Sequence, residues 1–386
     1  MIPSRRADEI QPFQVMDVLA RAREMEARGI DVIHMEIGEP DFPTPQGIVE
    51  AGIDALKCGH THYTPALGLP DLRGAISRYY STHFGLQISS HRIAVTPGSS
   101  GALQLALSVT LDPGDEVLMA DPGYPCNRHF VHLLAGQPTG IAVDETSQYQ
   151  LTAALIEKNW SAKTKAVLLA SPSNPTGTCC PKSELERIVD VVTKRNAVLI
   201  VDEIYQSLVY DTEPESILSV TDNVIVVNSF SKYFGMTGWR VGWLVMPGSL
   251  NKSIDKLAQN FFLATNTPAQ YAAVAAFEES TLQELERRRL VFQDRRDYLI
   301  CALKELGFVI PSQPQGAFYL YAKSSSLHQD SHEFVNDLLE KAAVALTPGN
   351  DFGSNNAQDY VRFAYTTEQS RLEQGIERIR EYLSDR

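Results

Sequence analysis

The chain is 386 residues long, which at roughly 150 residues per domain predicts two domains and more than one sizeable core. Hydrophobic residues at 44% and charged residues at 21%, with ordinary glycine and proline content, describe a soluble globular protein and exclude a disordered, collagen-like or disulfide-stapled one. Lys plus Arg at 34 against Asp plus Glu at 47 gives a formal charge of -13, a poor background for wrapping nucleic acid or lying on anionic lipid.

The opening residues lack the apolar run of a secretory signal, and no stretch reaches the ~18 continuous apolar residues of a membrane span. Five cysteines (Cys58, Cys126, Cys179, Cys180, Cys301) show no Cys-x-x-Cys spacing for zinc or redox work. Together these predict a cytoplasmic, reducing setting. The adjacent Cys179 and Cys180 read as ordinary thiols, because bridging neighbours is strained.

A first helix is predicted from about Phe13, where Val15, Val18, Ala22 and Met25 repeat at helical spacing before Gly29. The residues ahead of it read as an arm. Irregular excursions follow at Gly38-Glu-Pro-Asp-Phe-Pro-Thr-Pro45 and His60-Thr-His-Tyr-Thr-Pro-Ala-Leu-Gly68. From Ile93 onward short apolar segments alternate with helical stretches: Ile93 to Thr96, Val117 to Ala120, Ala166 to Ala170, Ala197 to Val201 and Val224 to Val227. Their continuous hydrophobicity predicts a mainly parallel sheet covered on both faces, with a further strand around Val241 to Met246. Beyond Thr281 come charge-rich helices, a strand-like Gly316-Ala-Phe-Tyr-Leu-Tyr321 and a last helix opening on a capping box at Thr366-Thr-Glu-Gln369.

The expected fold is therefore α/β. A three-layer sandwich with a mainly parallel central sheet forms the large domain, and a smaller α+β domain is built from both chain ends. Residues 1–45 supply the arm and part of the small domain, 46–285 the large domain, and 286–386 the rest of the small one.

In such sheets ligands bind beyond the carboxyl ends of the strands. There the sequence places Pro97-Gly-Ser-Ser-Gly101 at a helix start, Ser171-Pro-Ser-Asn-Pro-Thr-Gly177, Asp202-Glu-Ile-Tyr205 and Ser229-Phe-Ser-Lys232. Each alone reads as a turn or a cap; their joint occurrence asks for chemistry. An amine at Lys232, followed by a glycine-rich turn ending in Arg240, suits a Schiff base. Asp202 suits a protonated heterocyclic nitrogen, Tyr205 and Asn174 a ring oxygen, and Ser99, Ser100, Ser229 and Arg240 a phosphate. Those are the demands of pyridoxal 5'-phosphate.

The chain resembles the fold-type I pyridoxal-phosphate enzymes of the class I and II aminotransferase family over nearly its whole length. The resemblance rests on the four strand-end stretches above, extended to Gly238-Trp-Arg-Val-Gly242. It rests also on Gly38-Glu-Pro-Asp-Phe42, Tyr63-Thr-Pro-Ala-Leu-Gly68, Asp121-Pro-Gly-Tyr-Pro125 and Val361-Arg-Phe363. It implies that Lys232 holds the cofactor covalently and carries the substrate proton, with Asp202 on the pyridine nitrogen, Tyr205 and Asn174 on the ring hydroxyl, and Tyr124 stacked on the ring. Ser99, Ser100, Ser229, Ser231 and Arg240 would form the phosphate cup. Tyr63 would reach the phosphate of the neighbouring subunit, which implies a homodimer with shared active sites. Gly38 and Arg362 would receive the substrate α-carboxylate, near Asn174.

The implied activity moves an amino group from an L-amino acid to a 2-oxo acid, with 2-oxoglutarate the expected acceptor. The same cage on the same fold also serves β-lyases, decarboxylases and racemases. A non-enzymatic regulator would lack the lysine or aspartate, and both are here. No metal site is expected: the pairs His60 and His62, His129 and His132, and His328 and His332 lack a full ligand set, and the last pair is expected to face water. Some dicarboxylate-preferring members of that family place a basic residue in the turn after the first large-domain strand, where this chain has Ser100 and Gly101; that weakens an aspartate reading, leaves alanine, aromatic or other neutral donors at least as fitting, and leaves a distal-carboxylate partner unidentified.

Overall fold

The computed structural model describes residues 3–385. Helices α1 (Arg5–Glu9) and α2 (Gln14–Ala27) lead into the short strand β1 (Ile33–His34). Next come α3 (Gln46–Lys57), α4 (Pro70–Phe84), β2 (Ile93–Thr96), α5 (Gly98–Thr110) and β3 (Glu116–Asp121). They are followed by α6 (Pro125–Leu133), β4 (Gln137–Ala142), α7 (Ala153–Lys158), β5 (Thr164–Ala170), α8 (Lys182–Lys194) and β6 (Val198–Asp202). The middle of the chain closes with β7 (Ile225–Ser229), β8 (Gly242–Val245), α9 (Asn251–Phe261) and α10 (Thr267–Val274). The long α11 (Glu279–Glu305) leads to β9 (Tyr319–Lys323), α12 (Ser331–Ala342), β10 (Val344–Ala345), β11 (Thr347–Pro348), β12 (Tyr360–Ala364) and α13 (Gln369–Ser384).

Seven strands form the central sheet in the order β2-β8-β7-β6-β5-β3-β4. Only β8 runs against its neighbours; the β4, β3, β5, β6 and β7 ladder is parallel. Side chains alternate across this sheet as strand geometry demands. Leu199 and Val201 enter a core with Leu185 and Ile188 of α8, while Ile200 enters a second core with Leu103 of α5 and Ala258 of α9. Helices thus cover both faces, giving three layers. The carboxyl ends of β5, β6 and β7 share one edge, where the candidate residues emerge.

The smaller α+β domain draws on both chain ends. Ile33 and His34 of β1 pair in parallel with Val344 and Ala345 of β10, and β11, β12 and β9 form an antiparallel sheet. The Ala364 N–H donates to the Met35 carbonyl at 2.7 Å, so the N-terminal strand is stitched into the C-terminal sheet. Helix α2 buries Val15, Val18, Ala22 and Met25 as its periodicity requires.

Several details differ from expectation. The further strand foreseen around 241–246 is β8, whose direction, left open by the sequence, is antiparallel to its neighbours. Strand β4 was hidden in the sequence because Pro138 and Gly140 interrupt its apolar pattern. The strand foreseen from Gly316 starts at Tyr319, after a left-handed Ala317 (φ 59°) turns the chain. No capping box forms at α13, which has Glu368 as an N-cap without a side-chain bond; the Thr366 hydroxyl instead donates to the Ile37 carbonyl at 2.7 Å. His328 is half-buried and stacked on Phe334, not turned fully to water. Position 285 falls inside α11, which both units share; 1–45, 46–285 and 286–386 stand as our proposed division around it.

Candidate active site

A cavity of about 900 Å³ opens where the small domain covers the carboxyl edge of the central sheet. Its lining gathers Gly38, Ser99, Ser100, Tyr124, Asn174, Asp202, Tyr205, Ser231, Lys232, Arg240 and Arg362, residues spread over more than three hundred positions of the chain. Two candidates lie elsewhere. Ser229 sits behind the wall, its hydroxyl 2.9 Å from that of Ser231, which puts Ser231 rather than Ser229 on the surface. Tyr63 is 83% exposed and outside the lining.

Lys232 follows β7 by three residues, and its Nζ donates to the Gly38 carbonyl at 2.7 Å. Burial, followed by the nearby Arg362 and Arg240 charges, pulls this amine down to about 8, against the opposing pull of Glu39 and Asp202. A sizeable neutral fraction therefore exists near physiological pH, as a nucleophile or proton acceptor needs. Asp202 ends β6, is 6% exposed, and accepts from the Ile204 N–H at 3.1 Å. Burial raises its carboxyl to about 6, a cost that a cationic partner would remove. Its neighbour Glu203 turns away, accepting from the Ser216 hydroxyl at 2.8 Å and the Ile217 N–H at 2.7 Å.

An anion cradle lies at the start of α5. Pro97 gives that helix no side-chain cap, leaving first-turn N–H groups free beside Ser99 and Ser100. Gly98, at φ +68°, lets Arg240 come close: a Cβ there would lie 2.5 Å from Arg240 Nη2. Gly242 likewise lets β8 pass against this turn, since a Cβ would meet Gly98 C at 2.6 Å and Ser99 N at 2.8 Å. Arg240 itself adopts φ 56° and donates to the Thr237 carbonyl at 3.1 Å.

Across the cavity Arg362 is 2% exposed. It donates from Nη1 to Asn174 Oδ1 at 3.0 Å and from Nη2 to the Glu36 carbonyl at 2.5 Å and to Thr347 Oγ1 at 3.2 Å. Its Nε is buried without a partner, an unmet donor in a guanidinium otherwise fixed in place. The rings of Tyr319 and Phe352 both lie against the guanidinium, with centroids 4.3 and 4.8 Å from Cζ. Tyr319 also meets Tyr205, hydroxyl to hydroxyl, at 2.8 Å. It fills the space beside Gly38, where a Cβ would overlap its phenol. Sequence reasoning missed Tyr319; the only signal was the apolar Gly316-Ala-Phe-Tyr run, which also fits a plain core strand.

The donor set fits a phosphorylated pyridoxal: an anion cradle, an amine of lowered basicity, a buried carboxylate and two polar side chains, Asn174 and Tyr205, share one cavity. The three-layer fold and this cavity define a fold-type I enzyme. The family described as aminotransferase class I and II matches residues 30–379, and the chain belongs to it. Among its relatives it is 38% identical to a (5-formylfuran-3-yl)methyl phosphate transaminase of Methanocaldococcus jannaschii, over 99% of both chains. It is 35% identical to an aspartate aminotransferase of Thermotoga maritima, over 99% of this chain and all of the relative. An aminotransferase structure from Mycobacterium tuberculosis superposes with a TM-score of 0.96 at 34% identity, covering 100% of both chains.

Proposed function

We propose that the protein carries pyridoxal 5'-phosphate on Lys232 and moves the amino group of an L-amino acid to a 2-oxo acid, 2-oxoglutarate foremost. The observation that carries this reading is the placement of Lys232, with its lowered amine, in one cavity with the unmet Arg362 Nε. In it, Ser99, Ser100, Ser231, Arg240 and the α5 N–H groups hold the phosphate. Asp202 offers its charge to the ring nitrogen, Tyr205 and Asn174 bond the ring oxygen, and Tyr124 lies against the ring. Bound there, the cofactor supplies an electron sink for the substrate α-carbon.

The chain's own residues do the rest. Arg362, its fork fixed by Asn174, Glu36 and Thr347, orients the substrate α-carboxylate together with the Gly38 backbone. With the cofactor bound, the Lys232 amine would be the group placed to take the substrate α-proton at Nζ and to give it back. Fixing both carboxylate and phosphate sets which bond of the α-carbon stands in the reactive orientation. The exposed Tyr63 supports a homodimer in which it reaches the other subunit's phosphate.

The test is a visible spectrum of protein reconstituted with pyridoxal phosphate, followed by a donor panel with 2-oxoglutarate. A yellow band that changes on adding an amino donor, with amino acid formed from the acceptor, supports the reading. Release of pyruvate and ammonia without that product assigns β-elimination instead. A protein that stays colourless with added cofactor sinks both.

A further inference from the structure

Strands β11 and β12 pair antiparallel in the small domain, and the connection between them, residues 349–359, lies against the large domain. Asp121, the last residue of β3, clasps it. Its carboxylate accepts from the Ser354 N–H at 3.0 Å, the Ser354 hydroxyl at 2.9 Å and the Asn355 N–H at 3.3 Å. Further bonds cross beside it: the Asn355 side-chain amide donates to the Val143 carbonyl at 3.1 Å, and Arg128 donates to the Asp351 carbonyl at 3.0 Å. The contact is close enough that a Cβ on Gly353 would overlap Asp121 Oδ1.

Both halves of the proposed active site hang on this connection. The buried Phe352 sets its ring 4.8 Å from Arg362 Cζ, while its carbonyl accepts at 2.9 Å from the N–H of Gly123, the residue before Tyr124. Asp351 accepts from the Gln14 and Val15 N–H groups at 3.0 and 3.4 Å, fixing the start of α2, which forms one cavity wall. Asp121, Gly353, Ser354 and Asn355 themselves stay outside the cavity lining. Bonds to a carboxylate are the strong members of such a set, and these form only when the β3 end and the connection hold one relative placement. Arg362 and Tyr124 are carried on those two segments.

We propose that Asp121 is a positioning residue: by clasping the 349–359 connection it sets the spacing between the Arg362 site for the substrate α-carboxylate and the Tyr124 site for the cofactor ring. This rests on the aminotransferase reading and adds to it a side chain that touches neither substrate nor cofactor. Bonds inside the cavity also join the two domains, Arg362 to Asn174 and Tyr319 to Tyr205, but they are made by groups that the reading gives to substrate and cofactor or that stand beside them. The Asp121 clasp keeps the two sites in register from outside.

The test compares the parent with Asp121→Ala, Asp121→Asn and Gly353→Ala, the last of which keeps the carboxylate but wedges the connection away from it. Titration with pyridoxal phosphate reads the ring site alone, and calorimetry of the holoenzyme with the unreactive butyrate reads the carboxylate site alone. Turnover of one fixed amino donor with 2-oxoglutarate needs both sites in register. In Asp121→Ala and Gly353→Ala both affinities should stay within about twofold of the parent while kcat falls roughly 10- to 100-fold, the range for a misplacement of about 1 Å. Asp121→Asn retains one acceptor oxygen and should lie between. A kcat within about twofold of the parent overturns the proposal, and so does an affinity loss at either site as large as the fall in kcat, which would make Asp121 a local support. Hydrogen exchange on the cofactor-free proteins adds a readout independent of activity. Amides of residues 121–128 and 349–357 should exchange faster in Asp121→Ala and Gly353→Ala while those of β5 and β6 keep the parent rate; unchanged exchange at both segments overturns the proposal. If the parent aminates no acceptor, the aminotransferase reading fails, and the exchange comparison still decides whether Asp121 fixes the placement of the two segments.

Discussion

The hydroxyls of Tyr205 and Tyr319 lie 2.8 Å apart in the buried wall of the cavity, and Tyr319 also stacks on the Arg362 guanidinium. One side chain from the small domain thereby links the proposed ring-binding phenol of the large domain to the proposed carboxylate-binding arginine. Tyr319→Phe keeps the stacking ring and deletes the hydroxyl. Loss of one buried hydrogen bond, about 1 kcal/mol, should lower kcat roughly fivefold. KM for the amino donor should stay nearly unchanged, because Arg362 keeps its ring contact. Tyr319→Ala should raise KM as well. Steady-state kinetics on the two variants checks the split, and an unchanged kcat in Tyr319→Phe refutes the link.

Asp202 carries a cost in the cofactor-free protein. Burial raises its folded pKa from 3.8 to about 6, so the folded state holds a proton that the unfolded chain has released between those values. Stability therefore falls as pH rises through that window, and the full penalty, on the order of 3 kcal/mol, persists above it. Asp202→Asn removes the charge. The cofactor-free variant should be more stable than the parent at pH 7.5 by roughly 1–3 kcal/mol, with the gain shrinking below pH 5. The same change should abolish most turnover of the loaded enzyme. Denaturant melts of both proteins without cofactor at pH 4.5 and 7.5 give the first result; a variant less stable at pH 7.5 contradicts it.

His34 has the opposite sign. The hydrogen bond to Glu36, foremost, raises its pKa from 6.5 to about 9, against burial. Its stabilising contribution is present in full below about 6.5 and is lost as pH climbs through about 9. Because Glu26 and His34 are part-exposed, solvent screening limits the contribution to about 1 kcal/mol. His34→Gln should cost that much at pH 6 and nothing at pH 10. Because the Glu26–His34 contact joins α2 to β1, the loss should appear in hydrogen exchange along α2 before the central sheet.

All of the central sheet except β4 was legible, because its other strands are continuous apolar runs and the candidate groups follow their carboxyl ends directly. Lys232, Asp202, Tyr205 and Asn174 are all of this kind, and one cavity holds them. What could not be read is contact between distant segments. Asn174 and Arg362 are 188 positions apart, and the carbonyl of Glu36 that steadies Arg362 lies just past β1, a strand whose partner is β10 of the C-terminal segment. Ser229 and Ser231 are two apart on one turn, and nothing in their order says which faces the cavity.

Gly98 allows the anion cradle to be tested without touching a charged group. It shares φ +68° with Gly85, but a Cβ at 98 would lie 2.5 Å from Arg240 Nη2, whereas one at 85 meets nothing within 4 Å. Gly98→Ala and Gly85→Ala therefore pay the same backbone strain, roughly 1 kcal/mol for alanine held in the left-handed region. Only the first pushes the guanidinium away from the start of α5. Both variants should melt a few degrees below the parent. Gly98→Ala alone should bind pyridoxal phosphate more weakly, roughly tenfold or more, since displacing one charged donor costs at least about 1.5 kcal/mol. Cofactor titration by quenching of intrinsic fluorescence separates the two. Equal affinities would mean that Arg240 takes no part in holding the phosphate and that Ser99, Ser100, Ser231 and the helix N–H groups suffice.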